Sequence, residues 1–273
     1  LEVIFMKKKY MLLGLLVLFL VQLFLYLQSV SAQQELEASQ KAYEALADTR
    51  TEIEGNGPLP AVILEDAEAP SANSPEMVSP PIQFASNPFA PYYSINPDFA
   101  GWLTIEGTRV DYPVARGQDN AYYLEHSFKK GKSELGAIFM DYRNVGMGMD
   151  SHTVLYGHYT ESGYMFGDLD KYLSRKYLDA HPEIIFTDPF TERRYRIFSV
   201  HVSPPDGSLV DVDLSGPDQD DYLAFLKAES IHEVDVELSE NDRILTLVTC
   251  NYGIKDGRLF IHAVEISGDG TKP

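Results

Sequence analysis

"DRILTLVTCNYGIKDGRLFIHAVEI", residues 242–266, is two apolar, β-branched runs with a polar turn between them. Such short runs, bounded by Asn, Gly and Asp, read as strands. The first ends in Cys250, the only cysteine of the 273-residue chain, and the second opens on Arg258. If the two strands are neighbours, Cys250 and Arg258 approach each other across the loop mouth. A thiol at the end of a strand can face a cleft.

The same texture extends upstream. "VDYPV", "GAIFMDY", "TVLYGH", "EIIFTD" and "RYRIFSVHV" are further strand-like runs, many separated by Gly, Pro, Asp or Asn clusters. Their spacing suggests a β-barrel or a sandwich. Two stretches read as helical. "DQDDYLAFLKAES" starts acidic and places Tyr222, Phe225 and Leu226 on one face. "MFGDLDKYLSRKYLDAHP" contains a helical segment that Pro182 terminates. Together these define a mainly β domain with a few helices over residues 87–267, with 268–273 as a short C-terminal tail.

The N-terminal third has a different character. Met6 is read as the natural start, with residues 1–5 an upstream remnant. Lys7, Lys8 and Lys9 precede an apolar run of about 20 residues, enough to span a hydrocarbon core at about 1.5 Å per residue. The run is longer than a secretory h-region, although "SVSA" (29–32) resembles a cleavage site. The reading adopted is an uncleaved transmembrane anchor over 6–32, N-terminus cytoplasmic and the remaining chain outside. Residues 33–86 are expected to be an extracytoplasmic stalk and linker. Residues 33–54 are helix-favouring, and the stretch from Gly55 to Pro81 is rich in Pro, Ala and Ser.

Charge and cysteine count narrow the chemistry. A net charge of −19 argues against nucleic acid as a partner. One cysteine makes neither an intramolecular disulfide nor a thiolate zinc cluster. None of the seven histidines stands in a His-Glu-x-x-His pattern, and phosphate-loop and Gly-x-Ser-x-Gly motifs are missing. No metal or cofactor is expected. Thiol catalysis needs a thiolate, a proton-transfer group and an oxyanion donor. His158, directly after the run "TVLYG", and Arg258 are the candidates for the last two. Taken singly, each has a plain alternative: a buried filler cysteine, a structural histidine, a solvated arginine.

Together, these residues resemble the sortase family, class B. "TLVTC" matches its Thr-Leu-x-Thr-Cys motif, "LYGHYT" the motif carrying its histidine, and Arg258 the position of its arginine. "NPDFAGWLTIEGTRVDYPVARGQDNAYYLEH" and "GAIFMDYRN" are similar to the amino-terminal half of class B domains, and the match runs collinearly over 96–266. Val248 stands where many class B members have serine.

The resemblance implies a closed β-barrel of about eight strands, with a helix between the last strands. It implies a membrane-anchored cysteine transpeptidase of Gram-positive bacteria. Its partners would be a secreted surface protein bearing a C-terminal sorting signal, cleaved after Thr, and an amine acceptor such as a peptidoglycan precursor. Cys250 would be the nucleophile, His158 the general acid and base, and Arg258 the oxyanion or substrate donor. Asn120, Val248 and Thr249 are further candidates for substrate binding, and Asp141 and Tyr142 read as structural. Two other classes stay open: a cysteine endopeptidase with water as acceptor, and a non-catalytic surface binding module. The order His before Cys is unlike that of papain-type hydrolases.

Overall fold

The computed structural model describes residues 2–54, 89–214, 219–250 and 256–266. The linker expected within 55–86 and the tail 268–273 lie outside them. The chain divides into two units, Leu1–Glu44 and Ala45–Pro273.

The second unit is a closed eight-stranded barrel. Its strands are β1 (Phe99–Thr104), β2 (Asp111–Arg116), β3 (Ile138–Met140), β4 (His152–Tyr156), β5 (Glu183–Thr187), β6 (Glu192–Ser203), β7 (Ile244–Cys250) and β8 (Arg258–Ile266). They are ordered β1-β2-β3-β4-β7-β8-β6-β5 around the wall. The pairs β2/β3 and β4/β7 are parallel and the rest antiparallel. Closure leaves no unpaired edge. Seven of these strands coincide with runs read from the sequence. The eighth, β1, carries Gly101 mid-strand, and its pairing with β2 shifts register between Phe99 and Gly101. A glycine at a bulge dilutes the strand signal even though Trp102 and Leu103 are fully buried.

The wall is buried on both faces around β7 and β8. Ile244, Val248, Phe260 and Val264 join Val154 and Phe198 in an apolar layer beneath the helix Gln219–Ala228. The alternate residues Leu245, Leu247, Leu259 and Ile261 are also fully buried, which the two-residue strand period assigns to the barrel interior. That is why the sequence reads here as continuous apolar runs rather than as alternation.

The α-helices among the described residues are α1 (Glu2–Glu54), α2 (Ala90–Ile95), α3 (Arg175–Ala180) and α4 (Gln219–Ala228). α4 lies between β6 and β7, as expected. Its buried stripe, however, is Gln219, Leu223 and Leu226, while Phe225 is exposed. The i, i+4, i+7 spacing of that stripe, not the aromatic content, sets the inward face. The helical stretch ahead of Pro182 resolves into a 3-10 segment, Gly167–Leu173, followed by α3. α1 contains, within Gly14–Asp48, an apolar segment long enough to cross a membrane. The end of α1 belongs to the second unit: Leu46 is buried, and its carbonyl accepts from the Tyr92 hydroxyl at 3.1 Å.

Candidate active site

Strand register brings the three candidate groups to one rim of the barrel. β4 and β7 run parallel, in step from His152↔Ile244 to Tyr156↔Val248. One further bond, Gly157 N–H to the Val248 carbonyl at 3.2 Å, continues the ladder past the end of β4. His158 therefore stands level with Cys250. β7 and β8 run antiparallel, and their last pair is Cys250↔Arg258. Positions 158, 250 and 258 thus form a row across three adjacent strands, each about 5 Å from the next along the sheet. The side chain of Cys250 and the loop 251–255 lie outside the described residues.

Gly157 makes the turn into His158 sterically possible. A Cβ there would come within 2.5 Å of Ile138 Cδ1 and 2.8 Å of the Phe166 ring. The backbone of His158 is held by its carbonyl, which accepts from Phe166 N–H at 2.9 Å. Its half-buried ring is held by Nε2, 2.7 Å from the Leu124 carbonyl. Arg258 is partly exposed, and its Nη1 donates to the carbonyls of Gly257 and Asp256 at 3.1 and 3.3 Å. Among the described residues no carboxylate forms an ion pair with it, so the guanidinium keeps donors for a substrate oxygen.

The lesser candidates are placed otherwise. Val248 sits in the apolar layer beneath α4, 6% exposed. Thr249 is 2% exposed, and its Oγ1 has no hydrogen-bond partner among the described residues. Asn120 uses both ends of its amide: Nδ2 donates to Asp141 Oδ2, and Oδ1 accepts from Tyr142 N–H, each at 3.0 Å. Asp141 is a fully buried hub. Arg143 donates to both of its oxygens, at 2.9 and 2.8 Å, and the Tyr156 hydroxyl donates at 2.9 Å. Burial alone would raise the Asp141 carboxyl, but the bonds from Arg143, Tyr156 and Asn120 outweigh it and hold it at about 2. Among the described residues no group of three or more His, Cys, Asp or Glu is arranged to hold a metal ion.

Sequence reasoning passed over Leu124 and Gly136, both of which touch the His158 region. Leu124 contributes a backbone carbonyl, which no side-chain motif encodes. Gly136 carried a signal that could have been read: a glycine just ahead of an apolar strand-like run, two residues before β3, marks a turn needing unusual backbone.

Residues 103–266 match the sortase domain model. With the barrel and its rim in place, that match makes the chain a member of the sortase family. Its relatives narrow the branch to class B. Sortase B of Listeria monocytogenes is 40% identical over 158 residues, covering 58% of this chain and 64% of that protein. The chain thus aligns over somewhat less than two thirds of that relative's length. The X-ray structure of Clostridium perfringens sortase B is 34% identical with a TM-score of 0.62, covering 65% of this chain and 98% of the other. The Staphylococcus aureus sortase B–substrate complex is 25% identical with a TM-score of 0.71, covering 85% and 98%.

Proposed function

We propose that this chain is a membrane-anchored cysteine transpeptidase. In this reading it cleaves a C-terminal sorting signal after Thr and joins the surface protein to an amine acceptor of the cell wall. One observation carries the assignment: the ladder register that sets His158, Cys250 and Arg258 side by side at one rim. The three requirements of thiol acyl transfer, a nucleophile, a proton carrier and an oxyanion donor, fall on adjacent strands.

In this mechanism the Cys250 thiolate attacks the threonine carbonyl carbon, and the carbonyl electron pair moves onto oxygen. Arg258 donates to that oxyanion or to the neighbouring peptide. His158 gives a proton to the departing amide nitrogen as the C–N bond breaks, leaving a thioacyl-enzyme. The acceptor amine then attacks the thioester, loses a proton to His158 and expels the thiolate. Val248 and Thr249, both buried, are the candidate substrate-binding positions next to Cys250 along β7. Asn120 ties the approach to the 122–124 turn onto the Asp141 hub.

The apolar run of α1 is the anchor in this proposal, with Lys7 to Lys9 on the cytoplasmic side. Residues 33–86 form the spacer, and 87–267 the catalytic domain on the outer face. The deciding experiment incubates the protein with a sorting-signal peptide, with and without an added amine. Incorporation of the amine, lost in Cys250→Ala, is the expected result. Hydrolysis alone would assign the site to an endopeptidase. A folded Cys250 that resists a small alkylating reagent would point to a binding module.

A further inference from the structure

We propose that the Leu124 carbonyl fixes His158 in one tautomer, so that Nδ1 is the nitrogen that exchanges protons with substrate, and that Gly136 is a positioning residue for that carbonyl. The inference deepens the transpeptidase reading and rests on it for the role of His158.

The observation is the 2.7 Å contact between His158 Nε2 and the Leu124 carbonyl oxygen. A carbonyl oxygen only accepts, so Nε2 must carry a proton whether the ring is neutral or charged. Nδ1 is then the only ring nitrogen that can gain or lose one during turnover. Every proton delivered to the leaving amine, and every proton taken from the incoming amine, passes through Nδ1.

The carbonyl is firmly placed. Leu124 ends a 3-10 turn, Tyr122–Leu124; its N–H donates to the Ala121 carbonyl, and the following Glu125 N–H donates to the Tyr122 carbonyl. Asp119 Oδ1 caps the start of that turn, accepting from the N–H groups of Ala121 and Tyr122, both at 2.8 Å. Ala137 N–H donates to the Tyr123 carbonyl at 2.9 Å, tying the turn to the entry of β3. At that junction Gly136 has φ +58°, a conformation that costs an L-residue strain. A Cβ there would stand 2.5 Å from the Tyr123 carbonyl, 2.8 Å from the Leu124 carbonyl and 3.1 Å from His158 Cδ2. A single methyl group would press on the acceptor and on the ring together. Misplacement of a catalytic group by about 1 Å is enough to cost about 100-fold in rate.

The test is NMR of the full-length chain in detergent micelles with 15N-labelled histidine, the His158 signals being assigned by their loss in His158→Gln. The expected result is a slowly exchanging Hε2 resonance in both the neutral and the charged ring, with Nδ1 alone gaining and losing a proton along a pH series. A neutral ring with its proton on Nδ1, or an Hε2 that exchanges at the solvent rate, overturns the proposal. Gly136→Ala is expected to lose the protected Hε2 signal and to lower kcat about 10- to 100-fold, with KM changed less than about twofold. If that variant does not fold, Asp119→Ala, on the exposed cap, loosens the same turn; it is expected to weaken Hε2 protection and lower kcat several-fold. A folded Gly136→Ala with full kcat and an intact signal refutes the positioning role. A protected Hε2 in a protein that never incorporates amine leaves the tautomer standing and removes the transpeptidase. Amine incorporation by a protein whose neutral His158 carries its proton on Nδ1 does the reverse.

Discussion

Thr249 and Arg258 make opposite demands on the residue scale. Thr249 encloses a hydroxyl with no partner among the described residues, and a buried unsatisfied polar group costs about 1–3 kcal/mol. Thr249→Val keeps the shape and removes the polar atom. It is expected to raise stability by about 0.5–1.5 kcal/mol, read from the urea midpoint, with KM for the peptide unchanged. A rise in KM would place that hydroxyl on the substrate. Arg258 offers donors to developing charge, so Arg258→Ala is expected to lower kcat/KM by about 100-fold or more, and Arg258→Lys to recover part of it. A near-normal kcat/KM in Arg258→Ala would remove it from the mechanism. The strand-end positions of Cys250, His158 and Arg258 were legible in the sequence because the runs that carry them are apolar and the residues bordering those runs turn-like. The Leu124 carbonyl was not, because every residue carries one and only the fold aims it.

At the scale of elements, α4 and the outer face of β4, β6, β7 and β8 enclose a polar chain. His152 Nδ1–H donates to the Asp211 carbonyl, and Thr246 Oγ1–H donates to His152 Nε2 at 2.7 Å. His262 Nδ1–H donates to Thr246 Oγ1 at 2.7 Å. The ring of His201 stacks on that of His262, and Nε2 of both lacks a partner among the described residues. Burial lowers His152 and His201 to about 4, and burial with the neighbouring His201 and His152 lowers His262 well below its usual value. Unfolded histidine titrates near 6.5, so between about 6.5 and 4 the unfolded chain binds more protons than the folded one. The histidine contribution to stability is complete above about pH 6.5 and is lost as the pH falls toward 4. Urea midpoints measured down that range should decline. His201→Phe, which keeps the stack on Phe260, should flatten the decline by about one proton. An equal slope in that variant would show that His201 does not stay neutral. Asp141, held at about 2, keeps its contribution through this window and loses it only in stronger acid. The apolar half of the same layer is also testable. Leu226 is fully buried beneath α4, and Leu226→Ala is expected to cost about 2–5 kcal/mol in thermal or urea unfolding.

For the whole molecule, the compact unit starts at Ala45, inside α1, rather than at the first barrel strand. Leu46 is buried there and bonded to Tyr92. A chain beginning at residue 45 is therefore expected to unfold like the full-length protein. One beginning at residue 87 should be less stable by about 2 kcal/mol, the burial of one leucine plus one hydrogen bond. Equal melting of the two would make the end of α1 dispensable. The sequence by itself determined the β-rich domain, seven of its eight strands, the helix between the last strands and the strand-end positions of three chemistry-bearing residues. These are local matters: side-chain period, turn chemistry and reactive group are all written within a few neighbouring residues. Only the tertiary structure decided that β4 runs beside β7 in a register that levels His158 with Cys250, and that a carbonyl from a distant turn meets the histidine ring. Strand pairing depends on which apolar faces can be buried together across the closed barrel, and no window of sequence contains both partners.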